Sequence, residues 1–281
     1  DEPSAQKATL VVDWGSLPQA PTFFGRQNEL QHLQQWATLE GVRVVTVSGV
    51  GGQGKTALVV RLIHALRENA GPLAAPDASP LQPFERVICR SLLTAPPLTD
   101  ILQDWLQQLS DQQVVTLPRT VEQQFTLLYQ YLQQRRFLLV LDNVESILLD
   151  DGSGGCRPGY EAYEQLWQLI VQRDHQCCLL LTSREQPYAL ARIAPGRGPQ
   201  TQADSGRTRL LLLGGLDQQA GHLLLESVGL QATGAEAAQL IANYSGNPLA
   251  LQIVAGAIAD FFGGDVAAFQ QEAGALFDGL R

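Results

Sequence analysis

The octapeptide Gly49-Val50-Gly51-Gly52-Gln53-Gly54-Lys55-Thr56 constrains this chain more tightly than any other feature. It satisfies the pattern GxxxxGK[ST] in full. Glycines let backbone N–H groups curl around an anion without Cβ clashes, and a helix N-terminus adds the positive end of its dipole. Lys55 can reach the β- and γ-phosphate oxygens of a nucleotide, and Thr56 can offer its hydroxyl to Mg2+. The flanks suit this use. Val42-Arg43-Val44-Val45-Thr46-Val47 reads as a buried strand, and Lys55 to Asn69 as a helix with Leu58, Leu62, Ile63 and Leu66 inward.

The rest of the chain alternates in the same way. Residues 26–39 carry Leu30, Leu33, Trp36 and Ala37 on one helical face. Strands are expected at Arg86–Cys89, Phe137–Leu141, Cys177–Leu181 and Leu210–Leu213, which makes five with the strand before the octapeptide. Phe137–Leu141 is wholly apolar, as a parallel strand covered on both faces must be. Helices fall at about 98–109, 120–134 and 160–172, and the stretches 71–83, 150–158 and 185–207 read as loops. From Asp217 only helical spacing is left, at about 217–228, 234–243, 248–262 and 265–277. The expected fold is therefore α/β: a P-loop type of parallel five-stranded sheet flanked by helices, followed by a small all-helical domain. The implied boundaries are a lead-in linker over 1–22, held extended by Pro18 and Pro21, a nucleotide-binding domain over 23–214 and a helical domain over 215–281.

Composition narrows the partners. Charged residues make up 17% of the chain, against a usual ~25%, and pairs such as Gln107-Gln108 and Gln133-Gln134 take their place on solvated helix faces. A net charge of −9 with no basic block suits neither duplex nucleic acid nor an anionic membrane. Direct nucleic-acid binding and membrane attachment are therefore not expected. No apolar run reaches the roughly 18 residues that span a bilayer, and Asp1-Glu2-Pro3 opens no signal peptide. The 4 cysteines form no CxxC pair. Cys177 and Cys178 point to opposite faces of a strand, which gives them and His175 poor tetrahedral geometry for a metal. A reduced, cytoplasmic setting is expected. With no Met at all, the chain reads as a segment of a longer protein.

Two further strand ends carry chemistry. Phe137-Leu138-Leu139-Val140-Leu141-Asp142-Asn143 ends a buried strand in a carboxylate, which is costly unless a cation satisfies it. Beside a phosphate-binding loop that cation is Mg2+, so Thr56 and Asp142 are the expected metal ligands. Many ATPases place a second acid next, to polarise the attacking water. Here that residue is Asn143, whose amide accepts no proton, so slow turnover is expected. Asn143→Asp should then keep nucleotide affinity and raise turnover, and Glu145 is the nearest other base. Leu179-Leu180-Leu181-Thr182-Ser183-Arg184 ends another strand at the edge where open α/β sheets bind ligands, and Arg184 can sense a γ-phosphate as a charge-assisted donor. Lys55, Asp142, Asn143 and Arg184 form the candidate catalytic set. Gly49, Gly51, Gly52, Gln53, Gly54, Lys55, Thr56 and Ala57 form the phosphate-binding one.

Three more segments make a resemblance specific. Phe23-Phe24-Gly25-Arg26-Gln27-Asn28-Glu29 resembles the hhGRxxE motif that precedes the P-loop in STAND-class NTPases. Thr182-Ser183-Arg184 is similar to the Thr-Thr-Arg sensor of their NB-ARC branch, and Gly246-Asn247-Pro248-Leu249 resembles the Gly-x-Pro signature of the helical domain that follows. The chain is most similar to bacterial, especially cyanobacterial, NB-ARC proteins, which commonly carry β-propeller or helical repeats further on. Plant disease-resistance proteins and the apoptotic-protease activating factors are more distant. The resemblance implies ATP or ADP with Mg2+, adenine read by the backbone near Phe24 and Gly25 with Arg26 nearby, Pro248 packed on the base, and self-association through the nucleotide-binding domain. No Asn-Lys-x-Asp guanine-reading segment follows the fourth or fifth strand. The winged-helix and repeat regions of the family fall outside this chain.

The function so implied is a switch. Slow Mg-dependent ATP hydrolysis sets how long each nucleotide state lasts, and domain rotation exposes an oligomerisation surface. Two alternatives stay open: a scaffold that holds ADP without hydrolysis, and a small-molecule kinase with the same phosphate-binding loop.

Overall fold

The structure, a computed structural model, describes residues 10–19, 22–38, 40–68, 83–113, 118–193 and 206–278, with side chains to residue 272. Nearly all of the expected loop at 71–83, and the second half of that at 185–207, lie outside the described residues. The chain divides into two compact units. The first takes Asp1–Pro21, Asn28–Gly49 and Lys55–Leu212; the second takes Thr22–Gln27, Val50–Gly54 and Leu213–Arg281.

The first unit is built on one parallel sheet of six strands: β1 (Val11–Asp13), β2 (Val44–Ser48), β3 (Arg86–Ser91), β4 (Phe137–Asp142), β5 (Cys178–Ser183) and β6 (Thr208–Leu212), in the order β1-β3-β4-β5-β2-β6. The fold class is as expected, with one strand more. Val11–Asp13, expected as part of the linker, pairs with β3 as an edge strand. Asp13 is held there by Arg90, which also donates to Asp104. A strand this short has no readable period, and its pairing depends on an arginine far along the chain.

Helices α1 (Gln27–Thr38), α2 (Lys55–Glu68), α3 (Leu98–Leu109), α4 (Val121–Gln134) and α5 (Glu161–Gln172) fall where the spacing places them. A sixth, α6 (Tyr188–Ile193), interrupts the segment read as polar loop. Helices α3, α4 and α5 cover one face of the sheet: Trp105, Leu128, Tyr163 and Trp167 pack into one cluster with Phe137, Leu139 and Leu141 of β4. The alternate residues Leu138 and Val140 are buried as well, and pleat geometry sends them to the opposite face. That double cover is why β4 reads as an unbroken apolar run. Register then aligns the carboxyl ends of the strands, with Ser91 beside Asp142 and Ser48 beside Ser183.

The second unit carries helices α7 (Gln218–Ser227), α8 (Gly234–Asn243), α9 (Pro248–Phe262) and α10 (Val266–Asp278). Leu216, Leu224, Leu240, Leu251 and Ile258 form its core, with Phe24 packed against it. Each helix start is chemically marked. Asp217 accepts from the Ala220 N–H, Thr233 and Glu236 form a reciprocal capping box, and Asn247 caps α9 ahead of Pro248. Gly263, at φ 58°, closes α9 in the left-handed conformation.

Candidate functional site

In the first unit β2 stops at Ser48 and α2 starts at Lys55, so a strand end and a helix start bound the glycine-rich octapeptide. The Lys55 ammonium donates to the Gly49 carbonyl at 2.7 Å. Burial pulls its pKa below the ordinary lysine value; the Glu145 and Asp142 carboxylates oppose that pull, and Arg184 adds to it. Ala57 follows in the first turn of α2 and is partly buried.

Asp142 ends β4 and is 4% exposed. Its Oδ1 accepts from the Thr56 hydroxyl at 2.8 Å and from the Thr182 hydroxyl. Its Oδ2 accepts from the Asn143 side-chain amide at 2.8 Å. The two expected metal ligands are thus brought together. A carboxylate and a hydroxyl at hydrogen-bond distance are the hard oxygen donors that Mg2+ takes alongside phosphates. The donor set fits the ion.

Asn143 is tied to its neighbours by both backbone and side chain. Its backbone is left-handed, at φ 61° and ψ 46°, a conformation Asn adopts more readily than most side chains. Its N–H donates to Thr182 Oγ1, and its amide nitrogen serves Asp142 Oδ2 and, at 3.2 Å, Ser91 Oγ. The amide holds Asp142 in place. A 3₁₀ turn, Val144–Ile147, follows, and it was not visible in the sequence pattern. It carries Glu145, whose Oε1 meets Arg184 Nε at 3.2 Å. The Glu145 side chain is 19% exposed and that of Arg184 is 68% exposed. The Arg184 carbonyl accepts from Ser48 Oγ, which fixes the end of β5 against β2.

The remaining motif residues fall in the second unit. The arc Val50–Gly54 belongs there: the Asn247 side-chain amide donates to the Gly51 carbonyl at 2.9 Å, and the Leu249 N–H to Gly52. At Gly52, φ 79°, a Cβ would meet Asn247 Oδ1 at 2.8 Å. Gln53 is 8% exposed. Gly25 (φ 63°) and Arg26 (φ 67°) form a left-handed turn, and Arg26 donates to the Gly214 carbonyl at 2.6 Å. A Cβ at Gly25 would lie 2.7 Å from Ala220 Cβ, so close packing on α7 explains that glycine. Pro248 is the first residue of α9.

The Cys–His cluster is occupied by structural bonds. The Cys177 thiol donates to the Leu132 and Arg135 carbonyls, and burial pushes its pKa up to about 12. Among the described residues no single helix is long and apolar enough to cross a membrane.

A family model described as an AAA ATPase domain matches residues 22–173. An uncharacterized WD repeat-containing protein of Nostoc sp. is 40% identical over 275 residues, which cover 96% of this chain and 21% of that protein. The chain thus spans only 21% of the length of this curated relative. A STAND protein with a tetratricopeptide repeat sensor from Pyrococcus horikoshii superposes with a TM-score of 0.56 at 15% identity, over 85% of this chain and 30% of that one. The Aeropyrum pernix ORC2 protein, in ADPNP–ADP complexes, gives 0.51 at 20% identity over 90% and 68%. Drosophila ORC bound to DNA gives 0.56 at 15% identity over 92% and 62%. At these identities the structural likeness is one of fold.

Proposed function

The chain belongs to the AAA ATPase domain family, and on that premise we propose that it is an adenine-nucleotide switch of the STAND type, in its NB-ARC branch, with slow Mg-dependent ATP hydrolysis. One observation carries this reading: the buried Asp142 carboxylate is bonded to the Thr56 hydroxyl beside the phosphate-binding loop. Lys55 binds the β- and γ-phosphate oxygens, Thr56 and Asp142 hold Mg2+, and Arg184 meets the γ-phosphate. When bound, Mg2+ neutralises charge on the phosphate oxygens. Asn143 and Thr182 keep Asp142 aimed. Phe24, Gly25, Arg26 and Pro248, in the second unit, are the proposed adenine-reading set, and 215–281 the proposed helical domain of the switch.

The NB-ARC assignment is supported by the order of its motifs from Phe23 to Leu249. The WD repeats in the name of the Nostoc relative suit a switch segment with a propeller further along. Self-association belongs to the longer protein under this reading.

Calorimetry tests the assignment. Lys55→Ala removes a charge-assisted phosphate contact, worth about 1.5–3 kcal/mol, so Kd for Mg-ATP and Mg-ADP should rise about ten- to a hundredfold. Unchanged affinities would overturn the phosphate role of the loop. Wild-type turnover should stay well below the ~10 s⁻¹ median of enzymes. Phosphate transfer only in the presence of an acceptor would favour the kinase. Binding without any phosphate release would favour the scaffold.

A further inference from the structure

The hydrolysis proposed above needs a group that takes a proton from the attacking water, and the amide beside Asp142 accepts none. The Asn143 amide nitrogen is spent on Asp142 Oδ2 and Ser91 Oγ. Asp142 is given to Mg2+ under the reading above, and its oxygens already accept two hydroxyls and the amide. Two carboxylates act on the Lys55 ammonium, Asp142 and Glu145. Of these, Glu145 keeps an open acceptor. Its Oε1 is held by Arg184, while its Oε2 is buried with no hydrogen-bond partner among the described residues. An unsatisfied buried carboxylate oxygen is destabilising and uncommon, and it marks a place where a water or a ligand completes the structure.

We propose that Glu145, carried on the 3₁₀ turn beyond Asn143 and steadied by Arg184, orders and deprotonates the attacking water through its open oxygen. This rests on the hydrolysis reading. In the step, the water oxygen bonds to the γ-phosphorus as the bond from phosphorus to the β,γ-bridging oxygen breaks. The electron pair of that bond stays on the bridging oxygen, which leaves as part of ADP. One water proton passes to Glu145 Oε2 and then to the released phosphate, so the carboxylate is regenerated. Asn143 is a positioning residue, acting through Asp142.

The test is Glu145→Gln in the 281-residue chain, a substitution that keeps size and leaves an oxygen for Arg184. Turnover of Mg-ATP should fall about 10²–10⁴-fold, the usual worth of a general base, with Kd for Mg-ATP unchanged within about threefold. A second readout does not depend on turnover. Affinity for ADP with aluminium fluoride, which mimics the planar phosphoryl group and its in-line water, should drop about tenfold or more, with ADP alone unaffected. Glu145→Asp should restore part of both. Wild-type hydrolysis with an undiminished Gln variant would overturn this proposal and leave the hydrolysis reading intact. Equal losses for ATP and ADP, or a lower thermal midpoint without nucleotide, would make Glu145 structural and overturn it too. A wild type that releases no phosphate would sink the hydrolysis reading, and the role of Glu145 with it.

Discussion

Asn143 has hydrogen-bond partners that its residue type alone does not announce. From sequence it is a missing acid, and Asn143→Asp restores one. In the fold its amide donates to the carboxylate beside it. Asp at this position can still adopt the left-handed backbone, but it brings a second negative charge to hydrogen-bond distance of Asp142 and removes the donor. The fold therefore adds a stability cost to that substitution. Asn143→Asp should lower unfolding stability in urea by about 1.5–3 kcal/mol, the scale of a lost hydrogen bond to a charged group. Added Mg2+ should recover part of that loss. Undiminished stability with faster turnover would return position 143 to the role of second acid. The Thr56–Asp142 pair was legible because strand end and loop each carry a motif. The Glu145–Arg184 pair was not, since only the 3₁₀ turn and the end of β5 bring the two side chains together.

Elements announced themselves where burial was one-sided or complete. Helix α5 and strand β4 follow from spacing and from an unbroken apolar run. Strand β1 and helix α6 are too short for either signal, and they exist through tertiary contacts: Arg90 on Asp13 in one case, the Tyr188 N–H on the Gly154 carbonyl in the other. The link between α5 and β5 is likewise invisible in sequence, and it makes a pH prediction. His175 Nε2 pairs with the Ile170 carbonyl, and its Nδ1 accepts from the Cys177 N–H, so the ring is neutral with its proton on Nε2. Burial pushes its pKa down from 6.5 to about 4, and nearby Arg43 adds to that. Below the unfolded value the unfolded chain takes up a proton that the folded one refuses. The stabilisation is thus complete above about pH 6.5 and is lost as pH falls towards 4. Between pH 7 and pH 5 this amounts to about 2 kcal/mol. Urea titrations of His175→Gln should show a pH dependence flatter by that amount, and an unchanged slope would remove His175 as its source.

At the scale of the molecule, the motifs that run in single file along the sequence are shared between two compact units. Lys55, Thr56, Asp142 and Arg184 belong to the first; Phe24, Gly25, Arg26, Val50–Gly54 and Pro248 belong to the second. Sequence order could not show this, because Gly54 and Lys55 are neighbours in the chain yet fold with different units. A ligand that binds only the folded chain raises its stability by RT ln(1 + [L]/Kd), which is about 2.7 kcal/mol at a hundred times Kd. For a chain of this size that corresponds to roughly 5 °C in thermal midpoint. Mg-ATP and Mg-ADP should each produce such a shift, and Lys55→Ala should remove most of it at the same concentrations. Asp142→Asn should erase the part of the shift that depends on magnesium while sparing the shift from metal-free ADP, because the partner it loses is the ion. Mg-GTP at matched concentration should leave the midpoint where it is. A GTP shift as large as that of ATP would overturn the adenine assignment while leaving the phosphate-binding loop in place. A loss in Asp142→Asn that is equal with and without magnesium would instead confine that carboxylate to holding Thr56 and Thr182.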